Sequence, residues 1–88
     1  MLEDCKIRAF LALSEEGSFT QAARRLGVTQ PAVSAQIAAL EKLIGQPLFV
    51  RGPKLHLTPS GDAFLAYARR IQKAYDLANE AFFPPKTI

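Results

Sequence analysis

The sequence predicts a mainly α chain with one short β excursion, and three observations carry that expectation. Apolar residues recur at helical spacing along most of the 88 residues. Gly17, Gly27 and Gly45 each follow such a run, where a helix-ending residue belongs. Between Gly45 and the last long run lies an alternating stretch interrupted by Gly52-Pro53-Lys54, a turn composition.

The first helix is expected from about Asp4 to Glu16, with Ile7, Phe10, Leu11 and Ser14 at helical spacing and Leu13 beside them. The second begins at Ser18, where Ser18 and Gln21 have the spacing of a capping box. Its Phe19, Ala22, Ala23 and Leu26 face inward. The third begins near Thr29 or Gln30. Pro31 fits only its first turn, where a missing N–H costs nothing. Val33, Ile37, Leu40 and Ile44 then form one buried stripe. Two short strands follow, Leu48 to Arg51 and Leu55 to Thr58. Thr58 caps a long helix that has Pro59 at its first position and runs to about Phe82, where Pro84-Pro85 stops it. The order is that of a winged helix-turn-helix: a three-helix core, a two-strand wing and a long C-terminal helix. Residues 1–58 are read as the winged domain, 59–83 as a linker and dimerisation helix, and 84–88 as a hinge.

Composition narrows the function. A chain that is 49% hydrophobic and 22% charged is ordinary globular material, and its length suits one domain with a small core. One cysteine excludes an internal disulfide and fits a reducing cytoplasm. No apolar run approaches the roughly 18 residues of a membrane span, and the acidic start Met1-Leu2-Glu3-Asp4 is unlike a signal peptide. Charge is unevenly placed. From Gly17 to Ser60 the basic residues Arg24, Arg25, Lys42, Arg51 and Lys54 face a single acid, Glu41. The positive middle of the chain would attract a polyanion.

The connection Gly27-Val28-Thr29 is tight, and small Ala22 and Ala23 allow two helices to cross closely. The third helix then projects as a rod that fits the major groove of B-DNA. At about 100° per residue, Pro31, Ala35, Ala38 and Lys42 lie opposite its buried stripe, Ser34 on the flank, and Thr29 and Gln30 at the exposed N-terminal end. Gln30 can pair bidentately with adenine, Ser34 can donate or accept, and Pro31, Ala35 and Ala38 can touch thymine methyls. Arg51 and Lys54 flank the wing turn, within reach of a phosphate or the minor groove. A plain amphipathic helix with a solvated, alanine-rich back fits the same periodicity; the basic wing beside it favours DNA.

On the long helix, Phe64, Ile71 and Ala78 form one row and Tyr67, Ala74 and Ala81 another, with Ala68, Tyr75 and Phe82 as a third beside them. Leu65 and part of Phe64 are assigned to the chain's own core. The rest outruns a core of this size and needs a partner. Arg69, Arg70 and Lys73 are read as solvated or paired with Asp76, and Glu3-Asp4 and Glu15-Glu16 as solvated charges. Cys5 is expected to pack as a small hydrophobe. His56 stands without a ligand cluster, and no nucleophile–base pair or phosphate-cradling glycine loop is evident. No metal, cofactor or enzymatic activity is therefore expected.

The run SFTQAARRLGVTQPAVSAQIAALEKLIGQPLFVR, Ser18 to Arg51, followed by LTPSG, Leu57 to Gly61, resembles the LysR-type transcriptional regulators. The family's first helix also resembles Ile7 to Glu16. The resemblance implies a homodimerising DNA-binding domain, in some full-length proteins a tetramer, followed by a larger domain that senses a small-molecule effector. It places DNA contacts at Thr29, Gln30, Pro31, Ser34, Ala35 and Arg51, and brings the segment Ser18, Phe19, Thr20 near the phosphate backbone. It implies a dimer seam through Phe64, Tyr67, Ile71, Ala74, Tyr75, Ala78 and Phe82, made with a second copy of the same helix. Ala35 stands where the family commonly carries a basic or long polar side chain, and Ala38 and Ala39 are bare where polar residues are frequent. The wing, Gly52 to His56, looks about one residue short. The alternative is a winged-helix protein-interaction or dimerisation module that has lost specific DNA contacts.

Overall fold

A computed structural model describes residues 1–85. Its elements are α1 (Cys5–Glu16), α2 (Phe19–Leu26), α3 (Gln30–Ile44), β1 (Phe49–Val50), β2 (His56–Leu57) and α4 (Pro59–Phe82). Each helix starts where a side chain satisfies orphan backbone donors. Asp4 caps α1 by accepting from the Lys6 and Ile7 amides; Ser18, Thr29 and Thr58 do the same for α2, α3 and α4. The capping box at α2 is half made. Ser18 Oγ accepts from the Gln21 amide at 3.2 Å, and no return bond from the Gln21 side chain is found among the described residues. Gly17, Gly27 and Gly45 end the first three helices in the left-handed region, as their spacing predicted.

Helix α1 is the centre of the packing and touches α2, α3 and α4. That is why Ala9, Leu11 and Ala12 are buried along with Ile7, Phe10 and Leu13: the helix is enclosed on more than one side. Val33, Ile37 and Leu40 of α3 close the core, and Ile44 packs at its edge. The Phe10 ring meets Phe49 at 5.4 Å and stands edge-on to Phe64 at 5.1 Å. Both are favourable aromatic geometries, and they tie the wing and α4 to α1.

The strands pair antiparallel, with Phe49 opposite Leu57 and Val50 opposite His56. They are shorter than the sequence suggested, because the rung at their outer end is only half made: the Leu48 amide donates to Glu41 and Thr58 O accepts from the Asp62 amide. Leu48 O accepts from the Thr58 amide at 3.0 Å, and Thr58 Oγ1 donates to Pro47 O at 2.7 Å. The same hydroxyl accepts from the Gly61 amide, so one threonine both ends the wing and starts α4. Glu41, near the end of α3, accepts from the amides of Leu48 and Phe49 at 2.7 and 3.3 Å. The wing is thus fastened to the helix it stands beside. Gly61 lies against Leu48; a Cβ there would sit 2.1 Å from Leu48 O.

Several expectations are corrected. Cys5 is exposed: as the first residue of α1 it lines a surface pocket with Leu26, Val28 and Val33 instead of entering the core. Ala68, assigned to an outer row of the long helix, is fully buried against α1 and its neighbours, since the first turns of α4 belong to the core. Asp76 accepts from Gln72 Nε2 at 2.9 Å, one turn back on the same helix. No ion pair to it is found among the described residues, and Arg69, Arg70 and Lys73 are exposed, the solvated one of the two readings given for them. Glu15 and Glu16 are each 3.3 Å from Arg25, and Glu3 pairs with Arg8 at 2.7 Å. The N-terminal segment is also held: Asn79 accepts from the Leu2 amide and donates to Leu2 O, both at 2.7 Å. Of the expected hinge at 84–88, residues 86–88 lie outside the described residues.

Candidate nucleic-acid interface

Helix α3 owes its position to the turn before it. Gly27 at φ 67° lets its own amide bond back to Arg24 O and that of Val28 to Ala23 O, so the chain reverses within three residues. Ala22 is fully buried and Ala23 nearly so, which brings α2 close enough to leave the far side of α3 outside the core. On that far side Gln30, Pro31, Ala35, Ala38 and Lys42 are exposed, and Ser34 is half-buried. The helical-wheel expectation holds residue for residue.

The wing turns this face into one wall of an open groove. Phe19, Gln30, Pro31, Ser34, Ala35, Ala38, Arg51, Gly52 and Leu55 line it. Of the sequence-predicted residues, the structure brings together Gln30, Pro31, Ser34, Ala35, Ala38 and Arg51. Thr29 stands at the mouth as the α3 cap; its oxygen accepts from the Ala32 amide at 3.2 Å, and its hydroxyl proton remains able to donate. Lys54 is exposed at the wing turn, outside the groove lining, and its carbonyl is 3.0 Å from His56 Nδ1. Ser18 and Thr20 sit on the first turn of α2 beyond the rim, with Ser18 occupied as a cap and Thr20 exposed.

Sequence reasoning missed Gly52 and Leu55 as groove residues, and it put Phe19 near the phosphate backbone only through the family resemblance. Phe19 was placed inward by its period, and it does pack against the core; its other side meets the groove. The Arg51 guanidinium lies over that ring, 4.9 Å from its centroid. The charge reading also sharpens. Arg25 is engaged by Glu15 and Glu16, which leaves Arg24, Lys42, Arg51 and Lys54 of the mid-chain cations outside any ion pair among the described residues. No group of acidic, cysteine or histidine side chains suited to a metal occurs among the described residues, and no described helix is long and apolar enough to cross a membrane.

The expected dimer residues occupy the distal part of α4. Tyr67, Ile71, Ala74 and Phe82 are exposed, and Tyr75 and Ala78 half-buried. Phe64 is half-buried and packs on Phe10, so its ring is turned to the chain's own core. Leu2, held by Asn79, joins Ile71, Ala74, Tyr75 and Ala78 in one apolar depression. Leu77, outside the expected rows, is exposed as well.

A projecting helix, a wing and an open groove between them with Arg51 at its edge define a helix-turn-helix DNA-binding domain. The family model of the bacterial regulatory helix-turn-helix proteins of the lysR family matches residues 6–62, and the chain belongs to that family. A probable nitrogen assimilation transcriptional activator of Synechocystis is 44% identical over 75 residues, 85% of this chain and 24% of that protein. The DNA-binding domain of CbnR, in a crystal structure with DNA, superposes with a TM-score of 0.83 at 36% identity, covering 91% of this chain and 93% of that one. The DNA-binding domain of BenM, crystallised with benA site 1 DNA, gives a TM-score of 0.81 at 36% identity and covers 90% of this chain and 91% of that one. The chain spans about a quarter of the length of most of the curated relatives it matches, 24% of the first two, and about half of two others, 46% and 52%.

Proposed function

We propose that this chain reads double-stranded DNA sequence-specifically, with α3 in the major groove, and that it does so as a homodimer joined through α4. The observation that carries this reading is the groove itself. A helix face of small side chains, which lets the helix approach base edges closely, is bordered by Gln30 and Ser34 on one side and by Arg51 on the other. Gln30 and Ser34 are assigned to base edges, and Pro31, Ala35 and Ala38 to thymine methyls. Thr29, Ser18 and Thr20 approach the phosphates at helix N-termini, and Arg51 and Lys54 contact backbone from the wing. With few long polar side chains on α3, sequence preference leans on methyl contacts and DNA shape.

Tyr67, Ile71, Ala74, Tyr75, Ala78 and Phe82 form the seam, with Leu2 beside them. Its support is exposure: Tyr67 is 61% and Phe82 78% exposed, large apolar area left uncovered on a single chain. A two-fold axis through this seam presents two recognition helices to major grooves about 34 Å apart. In the whole protein, response to a small-molecule effector, tetramer formation, and activation or repression belong to a further domain. The cytoplasm, where bacterial DNA lies, is the compartment assigned to it.

The test is a titration of the protein on an interrupted palindrome of the kind the family reads, against random duplex, over a salt series. Affinity that falls steeply with salt and exceeds that for random DNA supports the reading. Salt-insensitive binding, or none, favours a protein-interaction module instead.

A further inference from the structure

Arg51 follows immediately on a strand of two residues and precedes a glycine and a proline. Its backbone therefore does little to restrain a side chain that samples many rotamers when free. What restrains it is the Phe19 ring, under the guanidinium at 4.9 Å. Phe19 is itself fixed, half-buried against the core at the first turn of α2. The contact spans the groove from the wing to α2, and both residues line it. A carboxylate in the same place would hold the guanidinium as well, but would neutralise it and occupy its N–H donors. An aromatic face attracts the cation through its quadrupole and leaves the charge and the in-plane donors available. No acidic partner of Arg51 is found among the described residues.

We propose that Phe19 is a positioning residue for DNA binding: its ring holds the Arg51 guanidinium at the rim of the groove, so that the wing's cation meets the DNA backbone already ordered. This rests on the reading of the groove as a DNA surface. It also gives the phenylalanine a part in binding that it performs without touching DNA.

The experiment measures affinity for duplex DNA over a salt series for the wild type, Arg51→Ala, Phe19→Leu, Phe19→Tyr and the double variant Phe19→Leu/Arg51→Ala, with thermal melts alongside. Arg51→Ala is expected to weaken binding and to flatten the salt dependence by about one phosphate contact. Phe19→Leu, which keeps an apolar side chain on the core, is expected to weaken binding roughly two- to fivefold, the size of an exposed cation–π contact. Phe19→Tyr keeps the ring and restores affinity. The double variant binds no more weakly than Arg51→Ala alone, because the ring acts only through the guanidinium. In the free wild-type protein, the Arg51 Cδ protons resonate upfield of those of Arg69, shifted by the ring beneath them. Losses that multiply in the double variant, Phe19→Leu binding like the wild type, or no upfield shift at Arg51 overturns the proposal. A wild type without salt-dependent affinity overturns the DNA reading itself.

Discussion

Two faces of this molecule leave alanine uncovered, and they differ in what surrounds it. On α3, Ala35 and Ala38 are exposed between Gln30, Ser34 and the wing's Arg51. On distal α4, Ala74 is exposed and Ala78 half-exposed, between Ile71, Tyr75 and Leu2. In both, small side chains permit close approach, which says nothing about the partner. The border supplies that information. Polar groups and cations around the first face suit a charged surface with hydrogen-bonding edges. Aliphatic and aromatic groups around the second suit another apolar helix, and symmetry makes a second copy the natural one.

The core that separates the two faces should be the most sensitive place to perturb. Gly61→Ala puts a methyl into the Leu48 carbonyl, at the junction of wing and α4. It is expected to lower stability by about 3 kcal/mol or more and both faces should fail together in a thermal melt and a DNA titration. A variant that melts like the wild type would show the junction to be looser than the contact implies. Next comes Ile71→Asp, which tests the apolar face by itself. A charge at the centre of the seam counts twice in a symmetric dimer, and a loss of about 2–4 kcal/mol in association is expected. Sedimentation should show monomer, with DNA half-site binding retained; unchanged mass moves the seam elsewhere on α4.

The polar face gives smaller effects. Gln30→Ala should relax sequence preference by about 1–3 kcal/mol while leaving the melt unchanged. Equal losses on specific and random duplexes would remove Gln30 from base reading. Glu41→Gln keeps a carbonyl oxygen for the Leu48 and Phe49 amides but gives up the charge that strengthens those bonds. A loss of about 1 kcal/mol in stability is expected, together with looser DNA binding from a less firmly held wing. Asn79→Ala releases the Leu2 backbone. On an exposed site this should cost about 0.5 kcal/mol or less in folding; sedimentation should show weaker dimerisation, with DNA half-site affinity unchanged.

Much of this was legible without coordinates because it is local. Caps at Asp4, Ser18, Thr29 and Thr58 and left-handed glycines at 17, 27 and 45 are decided by a few neighbouring residues. The outward face of α3 follows from helical period alone, and it emerged with the predicted members. What the pattern could not show was contact between distant segments. Cys5 has the period of a core residue, but at the first position of α1 it borders Leu26, Val28 and Val33 only at a surface pocket and stays exposed. Ala68 has the period of the outer rows, but α1 reaches that far along α4 and buries it.

Element order, helix ends, the projecting helix and its bare outer face all follow from the amino-acid pattern, since propensity, capping and periodicity act over one or two turns. How those parts meet depends on the folded chain. The fold sets Glu41 under the wing, Asn79 against Leu2, and Phe19 beneath Arg51. These are pairings across 7 to 77 residues, and no local rule selects among the partners a chain of this length offers. They form because closing the small core around Phe10 and Leu13 brings the segments together, and each polar or cationic group then meets the partner placed beside it.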